Sequence, residues 1–566
     1  MTRRRMLGVA LAILIIGALC SSVGTYALSS WGAKRVSGKR MYRWLENYVS
    51  LGWRRAGTPE CDQAASFLLN KFKEFGLQAH LEPVSIDCWY PTNWELTVLA
   101  GSDPSAPPED QPITCYPGIW YTGETPEEGI EAEMAYVGYG TPADFAATSV
   151  TGKIVLVDYQ EIMHFQMSWQ FTGAFQLAVA YGAVGFVAID VLMDTVRTYG
   201  FEPHPELPCL TVGKEDGAYL KSLAGTSVKA KLVINANQEP RTTYNVVATL
   251  PGNGMIDEII MLAGHYDSWF DGAVDNGGAN MGMLELAKYY AGTSRESRDR
   301  TMIFVAHSAH ETADPGNNGL QVFLNEHEDI IPKIATAIYL DGFGATGYEV
   351  MTDGEIWETG WDEKRGLFAS NPILAAYGEE AAIKYDLQPC LTAPVGYYVN
   401  DDEYFYEAGT PTFHLIGKPI WYHTPLDTVE TCTPDQLERT ALAHIDVIDK
   451  IANTPEGLLI AKDDNPNRMP PVPNQPPMEI MFEAFPDPAV VFNPMLVYLV
   501  FCLDVDGVMD MNLLEWDFGD GTPPVYASFA TYHIYMTPGT YTITLTLTDD
   551  EGAVGSASKE ITVVSP

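Results

Sequence analysis

Five side chains in this chain are suited to holding divalent metal: His265, Asp275, Glu311, Asp341 and His423. Zinc accepts imidazole nitrogen and carboxylate oxygen, and a hydrolytic site leaves one coordination position open for water. Five ligands suit two ions that share the carboxylate of Asp275, and the chemistry of such a pair is metal-assisted hydrolysis. Asp275-Asn276-Gly277 taken alone is an ordinary turn signal. Its place ten residues after His265 marks Asp275 as a ligand.

Ligands need rigid supports, and the flanking sequence supplies them. The apolar run Ile259-Ile260-Met261-Leu262-Ala263 precedes Gly264-His265-Tyr266-Asp267 and has the character of a buried strand. Ile303-Phe304-Val305-Ala306 leads in the same way to His307-Ser308-Ala309-His310-Glu311, and Ala337-Ile338-Tyr339-Leu340 leads to Asp341-Gly342. Trp421-Tyr422-His423-Thr424-Pro425-Leu426-Asp427 places the last histidine in a loop. Three strands therefore deliver ligands to one sheet edge, where open α/β sheets bind their ligands. His307 is expected to be an ordinary buried histidine and is not assigned to metal. His265 and His423 each have an aspartate close by in sequence, Asp267 and Asp427.

At these residues the chain resembles the co-catalytic di-zinc exopeptidases that include bacterial zinc aminopeptidases and glutamate carboxypeptidase. The likeness extends to Arg55-Ala56-Gly57-Thr58-Pro59, to the helix-like Ala64 to Phe75, and to Tyr244-Asn245-Val246-Val247-Ala248-Thr249-Leu250-Pro251-Gly252. The resemblance implies two zinc ions, one on His265, Asp275 and Asp341 and the other on Asp275, Glu311 and His423. It also implies that Asp267 orients His265, a supporting role such sites need.

One position departs from that pattern. The family carries two consecutive glutamates, a general base and then a ligand, whereas this chain has His310-Glu311. No gap is needed to align the stretch, so the substitution is real. A general base must reach the water, take its proton and pass it to the departing amine. Imidazole titrates near neutral pH and can do both, although two neighbouring dications disfavour its protonated form. His310 is therefore expected to be the base, or alternatively to bind metal directly.

At 566 residues the chain exceeds what one core serves. Lys+Arg 33 against Asp+Glu 74 gives a net charge of −41, so nucleic acid is excluded as a natural partner, since phosphate binding needs clustered positive charge. Arg3-Arg4-Arg5 followed by the nearly uncharged Met6 to Trp31 reads as a secretory signal or signal anchor in residues 1–35. Export follows, and membrane contact is expected only through that segment. Outside it, Cys61, Cys88, Cys115, Cys209, Cys390, Cys432 and Cys502 form no C-x-x-C pair, which removes zinc-ribbon and thioredoxin-like readings.

The fold class expected is α/β, a mainly parallel mixed sheet flanked by helices. Peptidase segments are expected at 36–111 and 239–460, with an amphipathic helix from Asn280 to Tyr290. Between them, residues 112–238 contain Gly152-Lys153-Ile154-Val155-Leu156 and Gly182-Ala183-Val184-Gly185, and resemble a β-rich protease-associated domain with no catalytic group of its own. Residues 461–477 are a proline-rich polar linker. In residues 478–566, Trp516-Asp517-Phe518-Gly519-Asp520-Gly521 and Pro538-Gly539-Thr540-Tyr541 resemble the polycystic kidney disease (PKD) β-sandwich. Alternation there puts Ile543, Leu545 and Leu547 on one buried face. Such a module implies cell-surface contacts with polysaccharide or protein.

These readings converge on an exported zinc exopeptidase acting on peptides. The acidic Asp401, Asp402 and Glu403 near the site, without an arginine group, favour an aminopeptidase. Tyr397 and Tyr398 are placed either against the substrate or as packing aromatics. The alternative is a metal-binding surface receptor or adhesion protein of impaired catalysis, with His310 as its support.

Overall fold

The computed structural model describes residues 36–460, apart from 119–120, 159–166, 193–194, 199–204, 312–316, 351–355, 364, 388–389, 393–399 and 418, together with most of 476–565. The leader, residues 461–475 of the proline-rich linker, Tyr397 and Tyr398 lie outside the described residues.

The N-terminal layer is helical. Helix α1 spans Gly38–Val49 and α2 spans Pro59–Glu74. Helix α2 begins earlier than its apolar pattern suggests, because the Thr58 hydroxyl accepts from the Cys61 N–H and Pro59 occupies the first turn. Glu60 and Asp62 near its start and Lys71 and Lys73 near its end complement the helix dipole.

Two long strands, β1 (Gln78–Val98) and β2 (Lys229–Leu250), pair antiparallel from Gln78↔Thr249 to Val98↔Ala230, with an irregularity between Pro91 and Asn93. They run without a break from the peptidase sheet into the inserted domain. Next come β3 (Ile259–His265), α3 (Ala279–Ala291), β4 (Thr301–His307), β5 (Ile334–Tyr339), β6 (Thr412–Gly417) and α4 (Pro434–Asn453). Strands β4, β3, β5 and β6 are mutually parallel neighbours, with His307 opposite His265 and Tyr339 opposite Ala263. All seven residues of β3 are buried, as expected for a parallel strand covered on both faces. Their apolar side chains contribute roughly 1.5–3 kcal/mol each by leaving water.

Helix α3 differs from the amphipathic expectation, for residues 279–287 are all buried. It is enclosed by α1, α2 and α4 as well as by the sheet. Its one carboxylate, Glu285, is satisfied by the Arg40 guanidinium and the Ser37 N–H. In the inserted domain, strands Ile130–Tyr136, Ile154–Asp158, Gly185–Ile189 and Cys209–Val212 form a parallel set. The tail forms two sheets around Trp516, with Ile543, Leu545 and Leu547 buried as the alternation predicts. Among the described residues no helix is long and apolar enough to cross a membrane. Cys61, Cys88, Cys115, Cys209, Cys390 and Cys432 are all free thiols.

Candidate metal centre

The parallel register carries the site to the carboxyl ends of β3, β4, β5 and β6. His265 ends β3, Asp341 follows β5, Glu311 follows β4, and His423 follows β6. Asp275 comes from the loop between β3 and α3, where the Asp275-Asn276 peptide bond is cis. Past β4 the chain turns sharply, with Ala309 at φ 62°, and this brings His310 and Glu311 back over the sheet edge. Gly342, at φ 64°, is required after Asp341: a Cβ there would lie 1.7 Å from the Gly417 carbonyl oxygen.

Five donor residues meet as two buried sets that share Asp275. His265, Asp275 and Asp341 form one, and Asp275, Glu311 and His423 the other, each with its donor atoms within 4.8 Å of one another. Asp275 stands between them, with Oδ1 3.2 Å from His265 Nε2 and Oδ2 3.3 Å from His423 Nε2. Glu311 Oε2 is 3.2 Å from His423 Nε2, and Asp341 Oδ1 is 3.9 Å from His265 Nε2.

The arrangement fits divalent metal. Three carboxylates converge in a buried space, and among the described residues no Lys or Arg lies within ion-pair distance of them. Asp275 Oδ2, both Glu311 oxygens and His265 Nε2 are buried without a hydrogen bond of acceptable geometry. A buried carboxylate without compensation costs several kcal/mol, so a cation is the natural occupant. Burial and His310 push His265 down, but Asp275 and Asp341 outweigh them and raise it to about 9. Burial and then Asp275 push Asp341 up to about 6.

Both histidines are fixed in one tautomer by carbonyls, which can only accept. His265 Nδ1–H donates to the Asp267 carbonyl at 3.1 Å, and His423 Nδ1–H donates to the Thr198 carbonyl at 3.2 Å. Each ring can therefore bind metal through Nε2, with metal displacing the proton that the carboxylates otherwise hold there. The Asp267 carboxylate lies 3.9 Å from His265 Nδ1 and does other work. Its Oδ2 accepts from the Glu311 N–H at 2.9 Å and its Oδ1 from the His310 N–H at 3.3 Å. Asp427 likewise serves the loop and not its neighbouring histidine, since it accepts from the Val274 and Asp275 N–H groups at 2.9 and 3.0 Å. Burial of its carboxyl pushes it up to about 7.

His310 lies over the His265 ring with centroids 4.1 Å apart. Its Nδ1 donates to Asp401 Oδ2 at 2.9 Å. Burial pushes His310 down, and Asp401 raises it well above the usual range. The same carboxylate oxygen accepts from Asn318 at 2.9 Å and from the Tyr339 hydroxyl at 3.2 Å, and lies 3.4 Å from His307 Nε2. His307 also contacts the Tyr339 hydroxyl at 3.0 Å, which is the ordinary buried role expected of it. Asn400 bonds Asp341 from the same segment. The Asp401 network and the Thr198 contact left no sign in the sequence, for their partners are distant and no motif joins them.

Three family models match separate parts of the chain. Residues 245–448 match Peptidase family M28, residues 122–220 a PA domain and residues 502–564 a PKD domain. Carboxypeptidase Q of Homo sapiens is 27% identical over 264 residues, which is 43% of this chain and 53% of that protein. The chain thus spans about half the length of the first curated relatives it matches. In fold it is similar to a zinc aminopeptidase from Bacillus subtilis, with a TM-score of 0.57, 20% identity, and coverage of 73% of this chain and 95% of that one. An aminopeptidase from Aneurinibacillus sp. strain AM-1 is similar too, with a TM-score of 0.53, 21% identity, and coverage of 77% and 98%. The chain therefore carries a peptidase family M28 domain, with a PA domain ahead of its ligand strands and a PKD domain after it.

Proposed function

We propose that the protein is an exported zinc-dependent exopeptidase that hydrolyses terminal peptide bonds, with two zinc ions sharing Asp275. The observation that carries this reading is the pair of buried donor sets joined by one carboxylate. His265, Asp275 and Asp341 would hold one ion, and Asp275, Glu311 and His423 the other. When bound, the ions supply the Lewis acidity that polarises the scissile carbonyl and lowers the pKa of a water.

The chain's own groups handle the proton. With both ions bound, their charge would disfavour the imidazolium that Asp401 otherwise promotes, and neutral His310 takes the proton from the attacking water and passes it to the departing amine. Asp401 holds the Nδ1–H, so the exchanged proton enters and leaves through Nε2. Asp267 fixes the backbone of both His310 and Glu311, which sets the base and a ligand at a constant spacing.

The residue removed is read as N-terminal. Arg54 and Arg197, packed beside the site, are committed to backbone carbonyls of the site loops and do not offer a guanidinium to a C-terminal carboxylate. Asp401 is committed inside its own network and Asp402 is buried against the Asn400 N–H and His414, so recognition of the ammonium falls to Glu403, two residues on and half-buried. The PKD domain would act as a spacer or binder outside the cell, in keeping with the arginine-led leader.

One observation favours a second reading. His310 also falls within 4.8 Å of the donor atoms of His265 and Glu311, a third possible ligand set. A His310 bound to metal would leave a metal-loaded surface protein of little activity. The test is hydrolysis by the zinc-loaded full chain of peptides with free or acetylated N-termini and free or amidated C-termini. Turnover that needs a free N-terminus and disappears in His310→Ala supports the proposal. Zinc binding without turnover, with activity gained in His310→Glu, establishes the second reading.

A further inference from the structure

Among the described residues, the inserted domain meets the loop that carries His423 through Arg197 and Thr198. Arg197 is fully buried and lies in the span that matches the PA domain. Its Nε donates to Asp190 Oδ2 at 2.9 Å, and Asp190 Oδ1 accepts from the Leu192 N–H at 2.8 Å. The other guanidinium nitrogens cross to the peptidase domain, where they donate to the Tyr422 carbonyl at 3.0 Å and the Ile420 carbonyl at 2.7 Å. Adjacent Thr198 pairs with His423 twice, its N–H donating to the His423 carbonyl at 3.2 Å and its carbonyl accepting from His423 Nδ1 at 3.2 Å.

His423 needs such holding. Its backbone is left-handed, at φ 57°, a conformation disfavoured for any residue with a Cβ. Strained residues at functional sites persist when their surroundings over-determine them. A planar guanidinium bonded to carbonyls on both sides of Trp421 fixes the spacing of residues 420 and 422, which a lysine ammonium cannot do.

We propose that the inserted domain is part of the second metal site, with Arg197 as a positioning residue that holds the His423 loop in its ligating conformation. This rests on the reading of Asp275, Glu311 and His423 as metal ligands. Metal and inserted domain are then coupled: zinc at that site tightens the segment around Thr198, and loss of the Arg197 fork loosens zinc there.

The experiment has two parts. In competition titrations with a chromogenic chelator, Arg197→Lys keeps a charge for Asp190 and loses the fork. It should weaken one of two zinc sites by about 10–100-fold and leave the other unchanged, the range seen when outer groups around ligands are removed. Arg197→Met with Asp190→Asn, which leaves no bare buried charge, should do the same. Two unchanged zinc affinities in both variants would overturn the inference and leave the metal site standing. Fewer than two zinc ions on the wild type would overturn the metal reading itself, and this inference with it. The second part uses only the wild type. Amide exchange in peptides covering 190–198 should slow several-fold on zinc loading, and exchange indifferent to zinc would overturn the coupling even if a variant fails to fold.

Discussion

Asp267→Asn separates two ways in which one carboxylate can serve a metal site. The native side chain accepts from the Glu311 N–H at 2.9 Å and the His310 N–H at 3.3 Å, while His265 Nδ1 is 3.9 Å away. Asparagine keeps one acceptor and turns an NH2 group toward the other donor, so one bond is lost and two donors face each other in a buried place. A hydrogen bond to a charged group contributes about 1.5–3 kcal/mol. A loss of about 2 kcal/mol that acts through the Glu311 backbone is about 30-fold in affinity. The assay is zinc affinity in two backgrounds. Asp341→Ala leaves the set of Asp275, Glu311 and His423, and Glu311→Ala leaves His265, Asp275 and Asp341. Asp267→Asn should weaken zinc by about 30-fold in the first and change it little in the second. The opposite pattern would refute the reasoning, since it would mean that the carboxylate acts through His265.

Three further outcomes are expected. Saturating zinc should raise the melting temperature and a chelator should lower it, because each ion adds about 2.7 kcal/mol at 100 times its dissociation constant; calorimetry indifferent to both would contradict a built site. Gly342→Ala should cost at least the roughly 1–2 kcal/mol of a left-handed residue, and more from the 1.7 Å approach to Gly417. Yield and zinc content should both fall, and unchanged values would contradict the close packing of the two loops. His444→Phe should flatten the acid side of the stability curve. Burial holds His444 down at about 4 against 6.5, so its contribution is intact above pH 6.5 and is lost as pH falls toward 4. At about 1.4 kcal/mol per pH unit that loss is about 3 kcal/mol, and urea unfolding at several pH values reads it; equal slopes in both proteins would count against it.

The candidate ligands His265, Glu311 and Asp341 were legible because each follows an apolar strand, and parallel strands present their carboxyl ends along one edge. Alternation likewise exposed the inward face of Ile543, Leu545 and Leu547, since a period of two needs no knowledge of partners. What stayed hidden depended on distant partners. The family resemblance implied that Asp267 orients His265, yet its carboxylate holds backbone 43 and 44 residues away. Helix α3 looked amphipathic, but three other helices close over its polar side. Arg197 carried no motif at all, and its meaning emerges only where the inserted domain meets residues 420–423.

The most direct test of the central claim is anomalous scattering at the zinc edge from crystals grown with zinc. The account predicts two peaks flanking the Asp275 carboxylate, one against His265 and Asp341 and one against Glu311 and His423. A single peak, or none at Asp275, would contradict it.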